Sequence, residues 1–193
     1  MSYQPGEMIG EIDHQAHFLH KLKTFKELNI ELPKDPHILD YCCGAGGTVY
    51  GVSDLGFKNI YGFDMIDHLK LRSPEHKKFF SINPDGKIPF QDNTFDLIMS
   101  DQVFEHVQNQ EYAFKEIFRV LKPGGYAFHI IPAKYQIIEP HIYVPLGGLI
   151  NAKWYYKFWA LLGIRNEFQK GLSAEEVAKR NKMYEKNGLC YID

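Results

Sequence analysis

The sequence predicts an α/β fold: a doubly wound, mostly parallel sheet with helices on both faces, its C-terminal antiparallel strand pair shortened or missing. Three observations carry that expectation. Short apolar runs alternate with amphipathic helical patterns, as in a parallel sheet covered by helices. The first run, at 37–41, has a continuous apolar character that suits a strand buried on both faces. A glycine-rich turn, "CCGAGG" at residues 42–47, stands between the first strand and the next helix.

The elements follow in order. Residues 10–29 have helical spacing, with Ile12, Ala16, Leu19, Leu22, Phe25 and Leu28 recurring on one stripe. "ELPKDP" breaks that helix. "HILDY" (37–41) is the first strand, and a helix from about Gly47 to Leu55 is closed by Gly56. "NIYGFD" (59–64) is the second strand, followed by a short helix over 66–72 before "SPEHKK". "KFFSI" (78–82) and "TFDLIMS" (94–100) are the third and fourth strands. A helix over 109–121 carries Tyr112, Ile117, Val120 and Leu121, "KPGG" stops it, and "YAFHIIP" (126–132) is the fifth strand. Beyond Pro132 come a proline-containing loop and an aromatic helix over 151–164. A helix over 173–188 opens with a capping box from Ser173 to Glu176. "LCYID" at the end has strand character.

Composition narrows the function classes. The 193 residues are 45% hydrophobic and 24% charged, ordinary for a globular chain with its own core. A net charge of −2 supplies no global field for nucleic acid or acidic lipid. "KLKTFK" (21–26) is the densest basic patch, and it reads as the solvated face of the first helix. Three cysteines, an odd count without CxxC, argue against a disulfide framework and for a reducing cytoplasm. No apolar run approaches the ~20 residues of a membrane span, and the N-terminus lacks the form of a targeting segment.

In a doubly wound sheet, ligands bind beyond the carboxyl ends of the strands. The first strand carries Asp40 and the loop from Cys42 to Gly47 there; the second carries Asp64 and Met65. Asn83 and Asp85 follow the third, and Ser100, Asp101 and Gln102 end the fourth. Glycines at 44 and 46 let a ligand approach backbone N–H groups. An acid at the end of the second strand can accept hydrogen bonds from both hydroxyls of a ribose. A nucleoside-containing cofactor is therefore expected. A dinucleotide fingerprint would need glycine at 49, which is Val49. Asp40 would sit poorly beside a pyrophosphate and well beside an ammonium.

These segments resemble the class I S-adenosylmethionine-dependent methyltransferases. "ILDYCCGAGG" is similar to their first motif and "YGFDMI" to the second. "IPFQDNTFDLIMSDQVFEHV" and "EIFRVLKPGGYAFHIIP" resemble the fourth-strand and fifth-strand segments, so the likeness covers roughly 36–132. The resemblance implies a single domain over 1–193, with a helical cap at 1–33, a cofactor-binding core at 34–132 and a substrate-side loop and helices at 133–193. It implies that Asp40, with backbone at Cys42, Gly44 and Gly46, holds the methionine portion of S-adenosylmethionine, whose product form is S-adenosylhomocysteine. Asp64 would bind the ribose and Met65 would pack on adenine. Asn83 or Asp85 would meet the adenine edge, and Asp101 and Gln102 would flank the methionine. The chain departs from the family at Cys42, where glycine is usual, so an ordinary φ is expected there. It departs again at Pro84, where an acid is common.

Other side chains have plainer readings beside functional ones. Cys42 and Cys43 are adjacent and diverge, so they are expected to be small loop residues rather than metal ligands. His14 and His17 can share a helical face, with His20 turned away and no HExxH. His106 in "EHV" is a candidate general base or a helix-capping residue, and His141 in "EPHIYVP" is a second candidate base. Glu139, His141 and Tyr143 could face an acceptor or pin their loop. The aromatic run from Trp154 to Trp159 is expected in a core or a subunit interface. The acceptor expected is a small polar molecule, such as a sugar or phosphorylated precursor of a surface polysaccharide, and not nucleic acid or membrane. "SDQVF" stands where amine methylases of nucleic acid carry an Asn/Asp-Pro-Pro-aromatic motif. A homodimer or a partner subunit is entertained. The rivals are a non-catalytic cofactor-binding subunit and a nicotinamide oxidoreductase.

Overall fold

A computed structural model describes residues 13–131, 137–138, 142–166 and 169–187. The chain divides into two compact units: residues 1–101 with 111–129, and residues 102–110 with 130–193.

The first unit holds the sheet. Helix α1 (His14–Glu27) starts at Asp13, whose Oδ1 accepts from Ala16 N at 2.9 Å. Strand β1 (Ile38–Tyr41), helix α2 (Gly47–Asp54) and strand β2 (Ile60–Asp64) follow. Then come strands β3 (Phe80–Ile82) and β4 (Phe95–Asp101), helix α3 (Gln110–Val120) and strand β5 (Leu121–Ile130). The sheet order is β3-β2-β1-β4-β5, and the strands are parallel. The chain runs outward from β1 in both directions, so right-handed crossovers place α2 and α3 on opposite faces. Among the described residues no strand of the sheet follows β5; "LCYID" lies outside them.

One cluster fixes the α1–α2 face. Phe18 and Phe25 of α1 join Val49, Tyr50 and Val52 of α2 over Ile38, Ile60, Leu97 and Met99 of the strands. This corrects the stripe expected for α1. The buried side chains are Phe18, Lys21 and Phe25, whereas Leu19 and Leu28 are exposed. The spacing 18, 21, 25 is as helical as the apolar stripe, but its middle member is a lysine. Lys21 is therefore not on a solvated face: it is 2% exposed. On α3, Ala113, Ile117 and Val120 are buried with Glu116, while Tyr112 is partly exposed.

Two other boundaries differ from expectation for visible reasons. No helix occupies 66–72; a 3-10 helix runs Pro74–Phe79 instead. Pro74 is at the start of this turn, where proline's fixed φ suits a first helical residue and its missing N–H needs no partner. Strand β5 begins at Leu121, ahead of the glycines. Its ladder is already seeded, because Thr94 N donates to Val120 O at 2.8 Å and Lys122 Nζ donates to Asp96 Oδ2 at 2.8 Å.

The loop between β3 and β4 is clamped by one arginine. Arg119 donates to Ile88 O and Phe90 O, at 2.8 and 2.9 Å. It also donates to Asp92 Oδ1 at 2.8 Å and to both oxygens of Glu116, at 2.9 and 2.7 Å. Glu116 in turn accepts from Ile88 N at 2.9 Å.

The second unit contains helices α4 (Lys153–Leu161) and α5 (Ala174–Asn187). Ser173 and Glu176 form the expected capping box, with Glu176 N donating to Ser173 Oγ and Ser173 N to Glu176 Oε2. Tyr156 packs with Ile142, Val144 and Ala178. The aromatic run divides: Tyr156 is buried, whereas Trp154, Phe158, Leu161 and Leu162 lie exposed. No helix among the described residues is long and apolar enough to cross a membrane.

Candidate functional site

Strand alternation decides which side chains meet at the carboxyl end of the sheet. Successive residues point to opposite faces. Ile38, Ile60 and Met99 point into the cluster under α1 and α2. Asp40, Asp64 and Asp101 lie an even number of residues further along the same three strands. All three carboxylates therefore share that face. The register sets Asp40 beside Gly62 and Met99. Helix α1 adds the counter-charge: Lys21 Nζ lies 2.5 Å from Asp101 Oδ2.

The glycine loop is built tightly around Asp64. Gly44 N donates to Asp64 Oδ2 at 2.8 Å, and Ile66 N donates to Oδ1 at 3.1 Å. Two amides thus orient the carboxylate. Cys43 N donates to Phe63 O at 3.0 Å, and Gly46 N donates to Cys43 O at 2.9 Å. To make these contacts the chain must reverse immediately after β1. It does so at Cys42, which stands at φ +59° rather than at the ordinary φ expected. A left-handed non-glycine residue costs roughly 1–2 kcal/mol; the loop's hydrogen bonds hold it there. Burial pushes both thiols up, so they stay protonated and unreactive. Cys43 Sγ fills the space over Gly62, where a Cβ would come within 2.7 Å of it. Gly46 is at φ +85°, and a Cβ there would meet the Phe80 ring. Gly47 has no room for a Cβ beneath the His14 imidazole, and His14 Nδ1 lies 3.3 Å from Thr48 Oγ1.

The expected adenine residues lie further along this rim. Met65 is half-buried, with its Sδ beside Gly86. Asn83 is engaged within its own turn: Nδ2 donates to Lys87 O at 2.8 Å and Oδ1 accepts from Asp85 N at 3.2 Å. Asp85 is exposed.

Asp40 is the electrostatic outlier. Burial first, and then the like charge of Asp101, push its carboxyl up to about 7, with Lys21 acting in the opposite direction. The unfolded chain titrates this group near the ordinary value of about 4. The folded state therefore holds a proton that the unfolded state lacks between those values. The associated stability is complete below about pH 4 and is lost as pH rises through about 7. Asp40→Asn should flatten this part of the profile and gain relative to the parent at pH 8. Thermal unfolding of both proteins from pH 4 to 8 checks this; parallel profiles would contradict it.

The remaining candidates belong to the second unit. Gln102 is at φ +54°, and its N donates to Ile130 O at 2.8 Å. His106 is partly exposed, with Nε2 3.9 Å from Glu105 Oε1. Tyr143 is exposed at φ +58°. Glu139 and His141 lie outside the described residues. Sequence reasoning missed Lys21, because a lysine among "KLKTFK" carries no local sign that its partner lies 80 positions away.

Three observations fit an S-adenosyl ligand in the first unit. Gly44 is open, with no atom within 4 Å of where a Cβ would stand. Asp64 is held in one orientation by two amides, as a ribose acceptor requires. Asp101 Oδ1 is buried with no hydrogen-bond partner among the described residues, an acceptor ready for a ligand donor.

Comparison with known proteins agrees. Residues 39–129 match the family described as "Methyltransferase domain". The sterol 24-C-methyltransferase of Schizosaccharomyces pombe is 32% identical over 96 residues, covering 46% of this chain and 25% of that one. The norajmaline N-methyltransferase of Rauvolfia serpentina is 29% identical, covering 64% of this chain and 46% of that one. The demethylmenaquinone methyltransferase of Listeria monocytogenes is 25% identical, covering 96% of this chain and 82% of that one. The chain thus spans a quarter to a half of the length of the sterol and alkaloid enzymes. A solved methyltransferase structure from Aquifex aeolicus, described as dependent on S-adenosylmethionine, has the same fold. It superposes with a TM-score of 0.50 at 24% identity, covering 69% of this chain and 72% of that one.

Proposed function

We propose that this chain is a class I, Rossmann-like S-adenosylmethionine-dependent methyltransferase that transfers a methyl group to a small-molecule acceptor. The observation that carries this is the set of Asp40, Asp64 and Asp101 on one face of three adjacent strand ends, around an open Gly44. The family's cofactor is S-adenosylmethionine, which supplies a methyl carbon already activated by its sulfonium.

The protein's task is then alignment and exclusion of water. Asp64, fixed by two amides, accepts from the ribose hydroxyls. Gly44 lets the ligand approach the backbone. Asp40 and Asp101 face the ligand's cationic groups. Met65 packs on the adenine, with Asn83 shaping the turn beside it and Asp85 at its edge; Gln102 flanks the methionine. For a hydroxyl acceptor, His106 Nε2, 3.9 Å from Glu105 Oε1, takes the proton; His141 is the other candidate, and Glu139 and Tyr143 face the acceptor. Cys42 and Cys43, free among the described residues, suit a reducing cytoplasm.

Two acceptor classes are distinguished by observation. The resemblance of "EPHIYVPLGG" to methyltransferases of surface polysaccharides supports a sugar or phosphorylated precursor. The exposed Trp154, Phe158, Leu161 and Leu162, with sterol and menaquinone enzymes among the relatives, support an apolar acceptor. Purified protein with methyl-labelled cofactor, offered nucleotide sugars and isoprenoid quinols or sterols, separates them. Label transferred to neither set, with S-adenosylhomocysteine still bound, would favour a non-catalytic subunit or homodimer partner instead. Substituting His106 and His141 by Ala, singly, tests the base; undiminished turnover in both would remove that role.

A further inference from the structure

Lys21 and Asp101 form an ion pair in an unusual state of completion. The lysine side chain is 2% exposed, yet Asp101 Oδ2 is its one hydrogen-bond partner among the described residues. An ammonium has three N–H donors, so two remain unused in a space with little water. Asp101 Oδ1 is buried and likewise has no partner among the described residues. Each unmet buried polar group costs about 1–3 kcal/mol, more when charged. A pair serving only to fasten α1 to the sheet would satisfy these groups or replace them by apolar packing at little loss.

The unmet groups are complementary to one chemistry. Spare donors on Lys21 call for an anionic acceptor, and the spare acceptor on Asp101 calls for a cationic donor. They are adjacent, so the ligand must carry both charges close together. An α-amino acid carries an ammonium and a carboxylate on one carbon. The pair lies on the strand face that also bears Asp40 and Asp64, at the end where the glycine loop opens. Resting on the proposed function above, we propose that the Lys21–Asp101 pair reads the amino-acid tail of the S-adenosyl ligand. Asp101 accepts from the α-ammonium, and Lys21 donates to the α-carboxylate. Helix α1 is then part of the binding site, and selection for an intact zwitterionic tail depends on Lys21.

The test compares two ligands by calorimetry. S-adenosylhomocysteine carries the tail; 5′-methylthioadenosine keeps the nucleoside and thioether without it. The parent protein is expected to prefer S-adenosylhomocysteine strongly. Lys21→Met should lose about 30-fold or more in affinity for it, while affinity for 5′-methylthioadenosine changes less than about threefold. Lys21→Arg should retain part of the preference. Equal loss for both ligands would reduce Lys21 to a tether for α1, and no loss would remove it from the site; either overturns the proposal. Lys21→Met strands a buried carboxylate and could unfold the protein. The double variant Lys21→Met, Asp101→Leu removes that charge, and a folded double variant that still prefers S-adenosylhomocysteine overturns the proposal equally. A parent protein that binds neither ligand overturns the proposed function itself, and this inference with it.

Discussion

Asp64→Ala should weaken S-adenosylhomocysteine binding by about 100-fold or more. Hydrogen bonds to a charged group contribute about 1.5–3 kcal/mol each, and tenfold in affinity is about 1.4 kcal/mol. Losing two ribose hydroxyl bonds therefore exceeds two decades. The effect has a second source in the protein. Gly44 N and Ile66 N both donate to this carboxylate, so the variant releases the glycine loop as well as the ribose. Asp64→Asn keeps one acceptor oxygen and should fall between parent and alanine variant. Calorimetry on the three proteins checks the order. Parent-like affinity in Asp64→Ala would remove this residue from the site.

The largest effect on stability is expected at Arg119. Arg119→Ala removes five hydrogen bonds at once: two to carbonyls of the β3–β4 loop, one to Asp92 and two to Glu116. It also leaves the buried Glu116 carboxylate with Ile88 N as its one remaining donor among the described residues. Breaking a buried charge pair from one side typically costs about 3–5 kcal/mol. For a chain of this length that lowers the unfolding midpoint by about 6–20 °C. Arg119→Lys should recover little, since one ammonium cannot reproduce a planar fork that reaches two carbonyls and two carboxylates. Thermal and denaturant unfolding measure both. A shift under 2 °C in Arg119→Ala would show that the loop is held by other contacts.

The expectations that held share a property: each depends on residues close in sequence. Strand order, the glycine loop, the α5 capping box and the acids at strand ends are visible because alternation, capping and turn chemistry act over two to four residues. The expectations that failed needed something else. Pro74 could close one element or open the next, and the same residue serves both in different surroundings. The stripe expected for α1 holds at Leu22 and Phe25 and fails at Leu19 and Leu28, because residue type alone marks apolar side chains as inward and Lys21 as outward. Cys42 was expected at an ordinary φ because its residue type favours it, but the loop's hydrogen bonds to Asp64 and Phe63 overrule a cost of about 1–2 kcal/mol.

The sequence by itself determined the order of the strands, the loop after β1 and the three acids near the carboxyl ends of β1, β2 and β4. Only the tertiary structure decided that these acids share one face with Lys21, that Asp40 is buried enough to hold a proton near neutrality, and that Asp101 keeps an unmet oxygen. Local patterns record which way a side chain points from its own element. The charge of a buried group is set by what other elements bring within a few ångströms, and Lys21 and Asp101 come together there from 80 positions apart.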